Sequence, residues 1–361
     1  MKGNVIVGQS GGPTAAINSS LAGVYRTAID RGAKKVYGMI HGIQGLLQER
    51  YLDLSQYITN DLDTELLKRT PAAFLGSCRY KLPEIHEDME VYKKIFAILD
   101  KLEIEAFIYI GGNDSMDTIK KLSDYAIITG HPARFIGCPK TIDNDLALTD
   151  HTPGYGSAAK YIGTSVKEII RDGYCLEYEN GVVTIVEIMG RNAGWLTGAA
   201  ALAKGEDCDG PDMIYLPEIP FDLEKFTQRV KKLLQKKSSV VIAVSEGIRL
   251  KDGRYVCELG DSIDFVDAFG HKQLSGTAGY LSSFIAGETG SKTRAIELST
   301  LQRSASHLSS RVDILEAYQV GGAAVKAADE GDSGKMVVLV RHSDDPYQSG
   351  TEVKDVHKIA N

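Results

Sequence analysis

Strand-like and helix-like segments alternate along almost the whole chain, and that alternation restricts its fold more than any other feature. Val5-Ile6-Val7 leads through a glycine turn into a helical pattern over 15–29, and Val36-Tyr37-Gly38-Met39-Ile40 follows. Further apolar runs stand at 107–110, 135–138, 182–188, 213–216, 240–244, 293–298 and 336–340. Between them, 92–102, 114–125, 156–170, 194–203, 223–234 and 308–328 carry apolar residues at helical spacing. Short fully apolar strands separated by helices imply mostly parallel sheets covered on both faces. With 361 residues the chain exceeds the roughly 250–300 at which a single core stops growing. Two Rossmann-like α/β domains are therefore expected, changing near Tyr155. The polar tracts 204–211, 251–264 and 343–361 read as surface connections.

Composition narrows the partners. A net charge of −7 excludes nucleic acid as a bulk partner, because binding its phosphates needs a basic face. A few local cations suffice for a small anion. The five cysteines, Cys78, Cys138, Cys175, Cys208 and Cys257, have no paired spacing, which argues against a zinc site or a disulfide framework. No apolar run approaches the ~18 residues of a membrane span, and Met1-Lys2-Gly3-Asn4 leads straight into a strand. A cytoplasmic protein without membrane attachment is expected.

Polar loops follow the apolar runs, where open α/β sheets bind ligands. Ser10-Gly11-Gly12-Pro13-Thr14 joins a strand to a helix, so its backbone N–H groups can approach a phosphate at a helix N-terminus. Such turns often do nothing but turn, and this loop alone supports either reading. Gly111-Gly112-Asn113-Asp114-Ser115 repeats the device and adds a carboxylate, although Asp114-Ser115 can equally cap the next helix. Lys140-Thr141-Ile142-Asp143-Asn144-Asp145 collects a cation, a hydroxyl and two carboxylates in six residues. Phosphoryl transfer needs that set: a base for the attacking hydroxyl, a cation for the transferring group, and oxygens for a metal. Arg191 after Met189-Gly190, Glu246 after Ser245, Arg294, and Arg303 after Gln302 would suit a sugar phosphate. Each taken alone could equally be a surface ion pair.

In this order and spacing, the stretches Ser10-Gly11-Gly12 with Asn18, 74–79, 111–115, 139–145, 189–191, Ser245-Glu246 and 301–303 resemble the phosphofructokinase family across nearly the whole chain. The resemblance implies transfer of a phosphoryl group to the 1-hydroxyl of fructose 6-phosphate, with Mg²⁺. It implies Asp143 as proton acceptor, with Lys140 and Asp114 in the catalytic loops. Gly11, Gly12, Arg79, Gly112 and Ser115 would meet the donor. Thr141, Ile142, Asp143, Met189, Gly190, Arg191, Glu246, Arg294, Thr300, Gln302 and Arg303 would meet the sugar phosphate, with Arg294 reaching a neighbouring subunit's 6-phosphate. A homodimer or homotetramer follows from that role.

Two positions bear on the donor. ATP-using members typically have glycine where this chain has Asp114 and Lys140, whereas pyrophosphate-using members have aspartate and lysine; some ATP-using relatives share the lysine, so Asp114 is the deciding residue. A carboxylate where the α-phosphate would lie repels ATP, and the lysine neutralises pyrophosphate. The resemblance therefore points to pyrophosphate and fructose 6-phosphate as substrates. An ATP-dependent phosphofructokinase is the alternative, and a non-catalytic sugar-phosphate sensor the reading from another class. Asn113 replaces the family's usual metal-associated aspartate, and its amide oxygen can still ligate Mg²⁺. Val182 stands where bacterial ATP-using relatives carry an intersubunit arginine, and Thr300 where histidine or tyrosine is common. Residues 1–155 with about 297–330 are expected to form the donor domain, and 156–296 with 331–361 the sugar phosphate domain.

Overall fold

The computed structural model describes residues 1–175, 177–260 and 274–360. They divide into two compact units, Met1–Ser157 with Arg303–Asn361, and Ala158–Gln302. The first unit opens with β1 (Asn4–Gln9), α1 (Ile17–Asp30), β2 (Val36–Met39), α2 (Gly42–Leu46), β3 (Tyr51–Asp53) and α3 (Asp61–Arg69). It continues through α4 (Met89–Lys101), β4 (Ile104–Gly111), α5 (Asn113–Thr129) and β5 (Arg134–Pro139). Next come α6 (Tyr155–Tyr174), β6 (Val182–Ile188), α7 (Trp195–Gly198), β7 (Met213–Tyr215) and α8 (Leu223–Leu234). After them follow β8 (Ser239–Ser245), α9 (Thr277–Thr289), β9 (Lys292–Glu297) and α10 (Ser299–Ser304). The chain then returns to the first unit with α11 (Arg311–Asp329), β10 (Lys335–Asp344) and β11 (Tyr347–Asp355).

The first unit's sheet has the order β11-β10-β5-β4-β1-β2-β3. Its pairs are parallel except β2 with β3 and β10 with β11. Period-2 alternation sends Val5, Val7, Ala106, Ile108 and Ile110 to one face, where α1 and α11 cover them through Leu21, Val24, Val320 and Ala324. Ile6, Phe107, Tyr109 and Phe135 go to the other face, against Tyr92, Ile95, Ile119 and Leu122 of α4 and α5. Each large side chain buried this way contributes about 1.5–3 kcal/mol. The helices α1 and α11 touch backbone to backbone: a Cβ on Gly23 would overlap Tyr318 O, and one on Gly321 would overlap Ser20 O. Alanine at either position would push the helices apart.

Among the described residues the second unit has four parallel strands in the order β7-β8-β6-β9. Val183, Ile185, Val240 and Ile242 pack on Phe226, Val230, Leu281 and Ile285 of α8 and α9.

The structure corrects two expectations here. The segment 331–361 lies with the first unit, because β10 pairs in parallel with β5 through Lys335–Ile136 and Met336–Gly137. The polar tail is also not all surface connection: β11 forms a hairpin with β10, and an edge strand needs no apolar run. The tract 204–211 is a loop with a single bridge, Gly205 to Cys208. Of the tract 251–264, residues 261–264 lie outside the described residues. The helices α3 and α9 were not expected from periodicity.

Candidate active site

In the first unit the chain leaves β1 for β2 on one side, while β4 lies on the other. The carboxyl ends of β1 and β4 therefore flank the point where strand order reverses, the usual ligand crevice of such sheets. The loops after β1, β4 and β5 are joined there by backbone bonds, Ser10 N to Ile110 O at 2.9 Å and Lys140 N to Gly111 O at 2.9 Å. Ser10 Oγ and Ser115 Oγ share a hydrogen bond between the first two loops. Gly11 holds φ +75°, a conformation that disfavours any residue with a Cβ. Thr14 Oγ1 accepts from Ile17 N at 2.9 Å and so supports the start of α1.

Helix α5 starts at Asn113 with Gly112 as its N-cap and no side-chain cap, so the alternative reading of Asp114-Ser115 as a cap does not hold. Asp114 is exposed in the first helical turn instead. Gly112 lies beside the third loop, where a Cβ would stand 3.6 Å from Lys140 O and 3.9 Å from Thr141 Cβ.

Lys140 sits at the centre of this arrangement. It is buried, and its Nζ donates to Gly12 O at 2.8 Å. Burial pushes its ammonium down to about 8; Asp143 opposes that shift, Arg303 adds to it, Asp145 opposes it and Arg79 adds to it. Four charged side chains from three segments, counting the lysine's own loop, thus act on this one ammonium. Arg303 also flanks the first loop, its Nη1 3.6 Å from where a Gly12 Cβ would stand.

The third loop is clamped from behind. Asp143 N donates to Thr141 Oγ1 at 3.1 Å, and Asn144 adopts φ +56°. Thr152 donates its Oγ1 to Thr141 O at 2.7 Å and its N–H to Asn144 Oδ1 at 2.9 Å. Ile142 is buried within the loop. His151 places Nδ1 2.8 Å from Asp150 Oδ1 and Nε2 2.8 Å from Glu316 Oε2. Both ring nitrogens must donate to satisfy two carboxylates, so this geometry requires the imidazolium. Burial lowers its pKa, but the hydrogen bonds to Glu316 and Asp150 outweigh burial and leave it raised. Glu316 Oε1 in turn accepts from Tyr347 and Ser349 of β11, and Arg341 of β10 pairs with Asp150 at 2.9 Å.

Asp145 is the residue that sequence reasoning left out of the site. Asn113 Nδ2 donates to its Oδ2 at 3.2 Å. Asp145 is an exposed residue, yet desolvation by the surrounding protein raises its pKa, and Asp114 raises it further against Lys140 and Asn113. Its signal was present, since it belongs to the same six-residue stretch as Lys140. Among the described residues no three or more histidines, cysteines or carboxylates form a ready-made metal cage. Mg²⁺ does not require one, because it takes one or two carboxylates and completes its shell with water and phosphate oxygens. An oxygen donor set of Asp145, Asp114 and the Asn113 amide, with one carboxylate disfavoured in its charged form, fits such an ion.

The second unit brings its own group together at the carboxyl ends of β6 and β8. Met189 N donates to Gln302 Oε1 at 3.2 Å and Gly190 N to Glu246 Oε1 at 3.2 Å. Ser245 Oγ donates to Gly190 O at 2.6 Å. Arg191 lies against Gly247, where a Cβ would overlap Arg191 O. Glu187, at the end of β6, accepts from Ala278 N at 2.8 Å at the start of α9; burial pushes its carboxyl up to about 7. Two expected residues make none of these contacts. Arg294 sits in mid-strand opposite Thr184 and pairs with Asp172 at 2.9 Å, and Thr300 is exposed on α10.

A doubly wound sheet with anion-binding loops and a cation cluster at its switch point, accompanied by a second parallel unit, defines an α/β protein built to handle phosphate groups. The comparisons make this specific. The phosphofructokinase family model matches residues 4–328, and the chain belongs to that family. It is 41% identical over 359 residues to the pyrophosphate–fructose 6-phosphate 1-phosphotransferase of Xanthomonas campestris pv. campestris, covering 99% of this chain and 84% of the relative. The enzyme of the same name from Halomonas elongata is 40% identical over 360 residues, with the same coverage. A crystal structure of pyrophosphate-dependent phosphofructokinase from Nitrosospira multiformis matches with TM-score 0.87 at 34% identity, covering 99% of this chain and 84% of that one.

Proposed function

We propose that this chain transfers a phosphoryl group reversibly from pyrophosphate to the 1-hydroxyl of fructose 6-phosphate, giving fructose 1,6-bisphosphate and phosphate. Relatives at 40–41% identity over 99% of the chain bear the name of that activity. The observation that carries the reading within the chain is the buried Lys140, held by Gly12 O and surrounded by the charges of Asp143, Asp145, Arg303 and Arg79. An ammonium so placed is suited to neutralise the charge that builds up on a departing phosphate.

Asp143 acts as general base: the hydroxyl proton passes to its carboxylate as the new O–P bond forms and the bridging O–P bond of pyrophosphate breaks. Gly11, Gly12, Arg79, Gly112 and Ser115 meet the donor. Thr141, Ile142, Met189, Gly190, Arg191, Glu246, Gln302 and Arg303 meet the sugar phosphate. Asn113, Asp114 and Asp145 are the residues to hold Mg²⁺, which supplies charge neutralisation on the phosphates when bound. Asp114 disfavours ATP by meeting its α-phosphate with like charge. Arg294 completes a neighbouring copy's 6-phosphate site, so the active species is at least a dimer. Among the described residues no helix is long and apolar enough to cross a membrane, in keeping with work on soluble substrates.

The deciding experiment measures phosphate release from pyrophosphate with Mg²⁺, with and without fructose 6-phosphate. Release that depends on the sugar supports the reading. Equal or faster turnover with ATP favours the ATP-dependent alternative, and sugar phosphate binding without turnover favours a sensor.

A further inference from the structure

We infer that the buried amides of Gln9 and Asn18 are positioning residues for the segment that carries Arg79, and thereby set affinity for the phosphoryl donor separately from affinity for the sugar phosphate. The inference rests on the reading of Arg79 as a donor ligand.

Residues 70–79 contain neither helix nor strand, so their backbone polar groups need partners from elsewhere. Two wholly buried side chains supply three of those partners, alongside backbone bonds such as His41 N to Leu75 O. Asn18 Nδ2 donates to Thr70 O at 3.0 Å, and Asn18 Oδ1 accepts from Phe74 N at 2.8 Å. Gln9 Oε1 accepts from Leu75 N at 2.9 Å. Gln9 Nε2 donates to Asn18 Oδ1 at 2.9 Å and to Ile17 O at 3.3 Å, which locks the two amides together. This pattern also fixes which end of each amide is nitrogen.

The segment then returns to the loop it must serve. Gly11 N donates to Cys78 O at 3.2 Å, and Ser77 Oγ donates to Gly11 O at 2.5 Å. Arg79 is the next residue, exposed, with its charge reaching Lys140. Gln9 is the last residue of β1, and the glycine loop begins directly after it. The same few residues therefore shape the glycine loop on one side and orient the arginine segment on the other. A merely structural core position would be filled at lower cost by leucine, because a buried amide is tolerated only when its hydrogen bonds are made. Apart from the bond to Ile17 O, those made here go to the arginine segment or from one amide to the other.

The test is a double-mutant cycle on the full-length protein, with Gln9→Met, Arg79→Ala and the pair, reading KM for each substrate alongside thermal melting. Gln9→Met is close in volume and leaves the Leu75 N–H without its acceptor. It should raise KM for pyrophosphate roughly fivefold or more, with KM for fructose 6-phosphate changed less than about twofold. In the Arg79→Ala background the same substitution should add little, since both act through one contact. Asn18→Ser, a milder change that keeps an oxygen at the site, should split the two KM values in the same direction and covers the case in which Gln9→Met does not fold. Equal rises in both KM values, or an undiminished Gln9→Met effect without Arg79, would overturn the inference. An Arg79→Ala enzyme with unchanged KM for pyrophosphate overturns it as well. Failure of the proposed function itself shows differently, as wild-type protein that releases no phosphate from pyrophosphate in response to the sugar.

Discussion

The two units both collect polar residues at the carboxyl ends of parallel strands, but by different physics. In the first, burial holds Lys140 near 8, while Asp143 and Asp145 oppose that shift and Arg303 and Arg79 add to it. In the second, Met189, Gly190, Glu246 and Gln302 are joined by hydrogen bonds from backbone N–H groups to side-chain oxygens. The first arrangement is tuned electrostatically, as a site must be where bonds change and charge moves. The second is rigid and geometric, as suits holding a group that does not react. Substitutions at Asp143 and Lys140 in the first unit should therefore act on turnover and pH, and those in the second on sugar affinity.

The largest expected effect is at Asp143. Asp143→Asn should lower kcat by roughly 10²–10⁴-fold while KM for fructose 6-phosphate changes little, as steady-state kinetics will show. A normal kcat with lost sugar binding would assign Asp143 to positioning and blur the contrast between the units.

Next in size is the donor pair. Asp114→Gly should unmask ATP use and weaken turnover with pyrophosphate. Adding Lys140→Gly should weaken it further, by about 2.7–4 kcal/mol in transition-state stabilisation. In the unsubstituted protein the lysine should lose its proton as pH rises through about 8. Bound pyrophosphate favours the charged form, so kcat/KM for pyrophosphate should fall at lower pH than kcat does. Coincident alkaline limbs, or native preference for ATP, would count against this account.

On the second unit, Arg191→Ala should raise KM for fructose 6-phosphate by the equivalent of about 1.5–3 kcal/mol and leave KM for pyrophosphate nearly unchanged. A rise in the pyrophosphate KM alone would remove the proposed division of labour.

The smallest effect concerns His151. Its pKa is raised in the folded protein, so the stability it contributes is fully present below about 6.5 and is lost as pH rises through the higher folded value. His151→Gln should therefore melt a few degrees below the native protein at pH 6 and close to it at pH 9, by calorimetry. A constant gap across that range would mean the ring is held by packing, not by its charge.

Much of this was legible from the chain alone. Strand β6 reads directly from its apolar run, and α8 from its spacing, because a doubly covered sheet and an amphipathic helix each impose a period on sequence. The edge strand β11 did not, since Tyr347–Asp355 faces solvent and its pairing with β10 leaves no apolar signature. Lys140 and Asp143 stood out by their crowding after an apolar strand. Asp145 shared that crowding, but its particular role was hidden because it depends on contact with Asn113 across 32 residues of sequence. Gln9 was invisible for a related reason: an amide at the end of a strand acquires a role only when a distant loop is laid against it. The expectation that 331–361 belongs to the second unit failed because strand patterns say nothing of which sheet a strand will join.

The return of the chain to its first sheet has a consequence for biogenesis. The first unit needs α11 to cover one face and β10 to pair with β5, and both are made after the whole of the second unit. The second unit is continuous, so during synthesis it can complete its core while the first still exposes Ile108, Ile110 and the free edge of β5. Until residues 303–361 arrive, the earlier half is an open sheet in need of protection. Protease digestion of stalled nascent chains should then show residues 158–302 resistant first, with 1–157 becoming resistant only when the last strands have emerged.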